Sequence, residues 1–149
     1  MTSIIILSIV GAIIAAAVGT FWYSDKTPMG RLHMQYLGFD KLSDDEKKQK
    51  MNEAKPKMPK IYGAQILLSS LTAFAVVYIT IVSMRNGMSL SNAFGFVFFN
   101  WLCFVVPTVG TGILWGTCDP KIAWKKFFSD ISSVLVTLLI TTLLASLFV

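Results

Sequence analysis

The chain has 149 residues, of which 54% are hydrophobic and only 14% are charged. Ordinary soluble domains contain about 45–50% apolar and about 25% charged residues. The composition therefore suggests a membrane protein, and the distribution of the charged residues along the chain excludes a soluble globular domain, a secreted disulfide scaffold and a disordered chain.

Four stretches contain no Asp, Glu, Lys or Arg: residues 3–23, 61–83, 92–116 and 131–149. Each is long enough to cross a hydrocarbon core of about 30 Å, which takes about 20 apolar residues. We therefore predict an all-α fold, an integral membrane four-helix bundle that forms a single transmembrane domain. The first stretch has an alternative interpretation as a cleaved signal peptide, because Ala15-Ala16-Ala17 resembles a cleavage site. The absence of a basic residue before Ile4 favours a retained helix.

The charged residues predict the orientation of this bundle. Twelve Lys and Arg residues lie in segments 24–60 and 117–130, whereas segment 84–91 contains only Arg85. The positive-inside rule then predicts that loop 24–60 is cytoplasmic, or in the equivalent compartment, and that both termini are outside. The net charge of +5 thus reflects orientation, and we expect the lipid bilayer as partner and no nucleic acid.

Loop 24–60 is predicted to contain two short cytoplasmic helices. Thr27-Pro28 is typical of a helix start, and Gly38 of a helix end. The first helix has an apolar face, which predicts an amphipathic helix in the headgroup region: Met29, Leu32, Tyr36 and Phe39. Ser43 and Glu46 have the spacing of a capping box for the second helix. The loop holds nine Lys or Arg and six Asp or Glu residues, so anionic lipids are a candidate partner. A solvated loop whose charges only set orientation is the alternative.

Small residues on the first stretch predict a packing face. Gly11, Ala15 and Gly19 recur every four residues, and such ridges let helix backbones approach closely in lipid. Packing within the bundle is the first interpretation of this ridge. Homo-oligomerisation through the same face is the alternative.

The polar residues of the apolar stretches are the candidate interior groups: Gln65, Asn100, Ser133, Thr137 and Thr141. We expect the two amides to form hydrogen bonds between helices, with ligand contact as the alternative. None of the four stretches contains an ionisable Asp, Glu, Lys or Arg, which argues against ion-coupled transport. Pro107 is expected to kink the third helix.

The sequence contains no catalytic, cofactor-binding or metal-binding motif. One histidine and two cysteines are too few and too scattered for a zinc site. We expect Lys125 and Lys126 to lie at the membrane interface, and His33 to have a structural role.

Two patches of the sequence resemble a known family. The run Gly19-Thr20-Phe21-Trp22-Tyr23-Ser24, followed by Met29-Gly30-Arg31 and Met34, resembles the opening of the membrane family catalogued as domain of unknown function 1761. Leu114-Trp115-Gly116, then Trp124-Lys125 and Phe127, resembles its second patch. The resemblance implies a compact four-helix membrane bundle. It supplies no activity and no catalytic residues.

The sequence is compatible with three functions. The first is a non-enzymatic multi-pass membrane protein, as an oligomer or as an accessory subunit of a larger membrane complex. The second is a passive transporter or channel for a small neutral solute, lined by the five polar residues named above. The third and least favoured is a membrane enzyme that uses His33 and the interfacial aspartates.

Overall fold

The computed structural model describes residues 2–116 and 118–149. Its helices are α1 (Thr2–Trp22), α2 (Pro28–Tyr36), α3 (Asp44–Ala54), α4 (Met58–Arg85), α5 (Leu90–Asn100), α6 (Val106–Leu114) and α7 (Pro120–Ser146). Short 3₁₀ turns lie at Phe39–Lys41 and Lys55–Lys57, and a π-helical turn, Trp101–Val105, joins α5 to α6. The described residues form no β-strand, which confirms the all-helical prediction.

Within the part of the chain that the structure describes, four helical segments are long and apolar enough to cross a membrane: Ile4–Trp22, Asp44–Arg85, Leu90–Ile113 and Pro120–Ser146. They correspond to the four charge-free stretches, with different bounds. The second includes α3, because the turn Lys55–Lys57 keeps the chain helical between α3 and α4. The fourth begins eleven residues before the charge-free stretch 131–149, at Pro120, where Asp119 caps the helix through the N–H groups of Lys121 and Ile122.

Helices α1, α4 and α7 pack against one another and form the core. Leu7, Val77, Ile81 and Ala145 make one fully apolar cluster there. α5 and α6 also pack against α7, and α2 packs against α7 where Lys126 lies near Tyr36. The apolar cluster lies at one end of the α1–α4–α7 group, and further buried apolar residues lie in the first half of α7: Ala123, Phe127 and Ile131.

The helices of loop 24–60 begin and end at the residues that favour such boundaries in the sequence. Thr27 accepts a hydrogen bond from the Gly30 N–H at 2.9 Å and caps α2. Gly38 follows α2 with φ +74°, a left-handed conformation that glycine adopts without strain. Ser43 and Glu46 form the predicted capping box at the start of α3.

The irregularity near Pro107 lies in the preceding turn. Pro107 has no N–H to donate to the carbonyl four residues earlier. The chain forms the π-helical turn before it, in which the Val106 N–H bonds to the Trp101 carbonyl. The Trp101 indole donates a 2.8 Å hydrogen bond to the Ile131 carbonyl, which ties the π-helical turn to α7.

Candidate binding cleft

A cleft of about 1080 Å³ separates α1, α4 and α7 over part of their length. One end of it is closed, because Gly11 on α1 lies directly against its neighbours. A Cβ on Gly11 would be 2.8 Å from Ala73 Cβ and 3.1 Å from Thr141 Cγ2. Beyond this contact lies the apolar core cluster. The cleft therefore ends at Gly11.

The register of α1 and α4 explains how the cleft forms. Leu7 packs in one cluster with Val77, and Gly11 meets Ala73, so the two helices are antiparallel. Each further turn moves four residues forward on α1 and four residues back on α4. This register pairs Ala15 with Ser69 and Gly19 with Gln65. These four residues line the cleft, and a Cβ on Gly19 would have no atom of the described residues within 4 Å. Of the two glycines of the predicted ridge, Gly11 is therefore in tight helix–helix contact and Gly19 is not.

The beginning of α4 leaves the bundle. Every residue from 58 to 68 is exposed, on all faces of the helix, whereas Ala73, Val77 and Ile81 are buried. α4 thus packs against its neighbours in its second half and diverges from them in its first half. The cleft is the space that this divergence opens.

Four of the five predicted interior polar residues line the cleft: Gln65, Ser133, Thr137 and Thr141. The fifth, Asn100, is not among its described lining residues, and its amide donates to the Phe96 carbonyl of its own helix at 2.8 Å. The Gln65 amide also bonds within its helix, to Ser69 Oγ at 3.3 Å. The expectation that these amides bond between helices is wrong, because each finds an acceptor one turn away along its own helix.

A group of charged and aromatic residues lies at the end of the cleft opposite Gly11. The Tyr23 hydroxyl donates to Asp130 Oδ1 at 2.5 Å, and Asp130 also forms a salt bridge with Lys126. The Lys126 ammonium lies 4.9 Å from the centre of the Tyr23 ring and 5.7 Å from that of Tyr36. Both distances suit cation–π attraction. We call Tyr23, Lys126 and Asp130 the ionic cluster.

The burial of this cluster was not predicted from the sequence. Lys126 is 6% exposed. The helices thus enclose an ionisable pair, Lys126 and Asp130, directly before the charge-free stretch 131–149. The reason is the length of α7, whose first turns carry both residues one turn apart, next to the buried Phe127 and Ile131. Burial of this pair requires that both charges stay together, because either one alone would be poorly solvated.

α2 closes the polar end of the cleft through His33. The His33 ring lies 5.1 Å from the Tyr23 ring, and its buried Nδ1 has no hydrogen-bond partner among the described residues. α2 reaches this position by a close approach at Gly30, where a Cβ would be 2.8 Å from the Tyr23 carbonyl oxygen and nearer still to the carbonyl of Ser24. Only glycine fits there.

The surroundings change the acidity of two groups at this end. Burial raises the pKa of Tyr23 above its ordinary value, and the hydrogen bond to Asp130 adds to that shift. Burial lowers the pKa of His33, and the charge of Lys126 lowers it further, partly offset by Asp130. Both pKa shifts favour the uncharged form of the side chain near pH 7.

Sequence reasoning missed two further contacts of α7 as well. The Trp22 indole donates to Ser129 Oγ at 3.0 Å, and the Trp101 indole reaches the Ile131 carbonyl. For the buried pair Lys126 and Asp130, the sequence signal was their i, i+4 spacing beside apolar residues.

The described residues contain no group of three His, Cys, Asp or Glu side chains that could hold a metal ion.

Comparison with known proteins identifies a family. The family model described as "Protein of unknown function (DUF1761)" matches residues 6–147. No curated protein and no solved structure matches the chain. The family match covers both patches on which the resemblance rests, Trp22-Tyr23-Ser24 near one end and Trp124-Lys125 near the other. The chain belongs to the DUF1761 family.

Proposed function

We propose that this protein is a non-enzymatic, four-span integral membrane protein that holds a small neutral molecule in the cleft between α1, α4 and α7. The observation that carries the proposal is the cleft itself, about 1080 Å³ of space among helices that are apolar enough to span a bilayer. Concave sites with a few polar groups in a mostly apolar lining are typical binding sites for small molecules.

The charges of the cleft favour a neutral molecule. Asp130 is the one carboxylate among its described lining residues, and it is already bonded to Lys126 and Tyr23. His33, with its lowered pKa, adds no charge near neutral pH. A charged molecule would find no free counterion there, and burying an unpaired charge is unfavourable by several kcal/mol or more. Amide and hydroxyl groups of Gln65 and Ser133 suit hydrogen bonding to an uncharged partner.

The same cleft supports the passive passage of a neutral solute as a second candidate, since four of the five proposed path-lining residues face it. The contact of Gly11 with Ala73 and Thr141 closes the path at one end. Passage would require those helices to separate, whereas binding requires no change. Binding is therefore the function that we propose first.

Association with another membrane protein is a further candidate, as an accessory subunit or a homo-oligomer. The exposed first half of α4 supports it, since residues 58–68 offer several exposed apolar side chains. Copurification followed by mass spectrometry tests it, and a stoichiometric partner would support it.

The proposed orientation places loop 24–60 in the cytoplasm and both termini outside. Its support is the excess of Lys and Arg in the segments on one side of the four helices. In a cysteine-free background, an impermeant thiol reagent should modify a cysteine at Ser3 in intact cells, but not one at Gln49. Modification at Gln49 would overturn the orientation.

The cleft is tested by reactivity at two neighbouring serines of α4. Ser69 lines the cleft, whereas Ser70 is outside its lining and bonds to the Ile66 carbonyl. In protein reconstituted in bilayers and lacking Cys103 and Cys118, the neutral reagent methyl methanethiosulfonate should modify Ser69→Cys faster than Ser70→Cys. The anionic sulfonatoethyl reagent should not show this preference.

A matched pair of variants completes the test. Ala15 lines the cleft, whereas Ala17, on the same helix, is exposed outside it. Ala15→Phe should fill the cleft and abolish the preference for Ser69→Cys, and Ala17→Phe should leave it intact. Equal rates at the two serines, or a preference that persists in Ala15→Phe, would contradict the proposed function.

A further inference from the structure

The hydrogen-bonding capacity of the cleft is unequal along its length. Thr137 and Thr141 line the part towards Gly11, and their hydroxyls donate to carbonyls of their own helix at 3.0 and 2.9 Å. Thr72 does the same on α4, at 3.1 Å. These side chains present mainly their methyl groups to the cleft, next to Ala15 and Ala73.

The opposite part of the cleft keeps free capacity. Gln65 uses one amide N–H on Ser69, which leaves its carbonyl oxygen and its second N–H. Asp130, Tyr23 and His33 lie at the same end. The cleft is thus apolar towards Gly11 and polar towards Tyr23, as an occupant with one polar end and one apolar end requires.

We propose that the occupant is a neutral single-chain amphiphile of the bilayer, with its hydrogen-bonding head beside Gln65 and Tyr23 and its chain directed towards Gly11. This inference rests on the proposed function, because it names the class of molecule that the cleft holds.

The depth of the cleft agrees with one leaflet of a bilayer. From Gly11 to Tyr23, α1 rises about 18 Å, at about 1.5 Å per residue. The hydrocarbon core of a bilayer is about 30 Å thick, so a single leaflet contributes about 15 Å. Trp22 and Tyr23 end the apolar part of α1, where aromatic residues meet the headgroups. The polar end of the cleft thus lies at headgroup level, and its closed end lies near the middle of the membrane.

The exposed half of α4 gives such a molecule access from the bilayer. Ile61, Ile66 and Leu68 line the cleft and are still 57%, 56% and 60% exposed. Every residue from 58 to 68 of the helix that carries them is exposed. A lipid-soluble molecule can therefore reach the cleft sideways without crossing the packed core.

The test uses a monoacylglycerol with a photoreactive diazirine in its acyl chain, added to the full-length protein in lipid nanodiscs. After irradiation, mass spectrometry locates the adducts. We expect them on residues that line the cleft, with competition by unlabelled monooleoylglycerol and none by glycerol. Lysophosphatidic acid with the same photoreactive chain should label the cleft about ten-fold less, the ratio that a difference of about 1.4 kcal/mol produces.

Variants separate specific occupancy from contact with bulk lipid. Ala15→Phe should remove the cleft adducts, and Ala17→Phe should keep them. Adducts that persist in Ala15→Phe, or equal labelling by the anionic analogue, would overturn the inference. Absence of cleft adducts while methyl methanethiosulfonate still prefers Ser69→Cys would refute the amphiphile and leave the proposed function standing. Loss of both signals would refute both.

Discussion

Replacing Gly30 by alanine tests the docking of α2 under the cleft. In a helix without close neighbours this substitution stabilises by about 1 kcal/mol, because alanine is the better helix former. At Gly30 the added methyl group would meet the backbone carbonyls of Tyr23 and Ser24, which cannot rotate away as a side chain can. Overpacking of this kind typically costs about 1–3 kcal/mol, and more where the backbone must move.

A shift of α2 would have further costs. It would weaken the cap that Thr27 gives to α2, a contribution of about 1 kcal/mol. It would also separate His33 from Tyr23. We therefore expect Gly30→Ala to lower the free energy of unfolding by about 2 kcal/mol or more, after the gain in helix propensity is subtracted.

Gly63→Ala is the matched control, because Gly63 lies in α4 and a Cβ there would have no atom within 4 Å. The control should gain up to about 1 kcal/mol. Thermal unfolding in detergent, followed by tryptophan fluorescence, compares the two variants, and each kcal/mol corresponds to about 2–4 °C for a chain of this size. If Gly30→Ala proves as stable as Gly63→Ala, α2 does not dock as described.

Three further predictions concern the ionic cluster, His33 and the contact at Gly11. Asp130→Asn leaves the buried Lys126 without a countercharge and should lower the free energy of unfolding by about 3–5 kcal/mol. Adding Lys126→Met should recover part of this loss, and an unchanged unfolding midpoint in Asp130→Asn would contradict the buried pair. Because the pKa of His33 is lowered on folding, the unfolded chain binds the proton more readily, so stability should fall as the pH drops below about 6.5. His33→Gln should flatten that part of the pH profile, and identical profiles would refute the assignment. Gly11→Leu should lower the unfolding temperature strongly because Gly11 has no room for a side chain, whereas Gly19→Leu, at a position that lines the cleft, should change it little. Equal unfolding temperatures of the two variants would contradict the difference in packing between Gly11 and Gly19.

The helices of this protein were predictable because their signals are local. Charge-free stretches of about 20 residues report long apolar helices whatever packs against them. The starts at Thr27-Pro28 and Ser43 are likewise readable, because a capping side chain bonds to N–H groups two or three residues away. Such features depend on neighbours in the sequence and on little else.

The cleft was not predictable, because it depends on how two helices diverge. Gly11, Ala15 and Gly19 form one ridge of small residues in the sequence, yet a Cβ would be in tight contact at Gly11 and would meet no described atom at Gly19. Hydropathy also does not reveal that residues 58–68 are exposed, since exposed and buried apolar residues have the same hydropathy. The start of α7 at Pro120 is also local, since Asp119-Pro120 in the sequence is typical of a cap followed by a first helical residue. The burial of Lys126 and Asp130 was missed because charged residues next to an apolar stretch usually mark its end.

Paired cysteines on α1 and α4 report whether these helices pack at Gly11 and separate towards Gly19. In bilayers, with Cys103 and Cys118 replaced by serine, Gly11→Cys with Ala73→Cys should form a disulfide under mild oxidation, because the two positions are in contact. Gly19→Cys with Gln65→Cys, two turns further along the same antiparallel row, should remain reduced, since the cleft lies between them. Efficient cross-linking of both pairs would show that α1 and α4 stay together along their length, and would contradict the cleft.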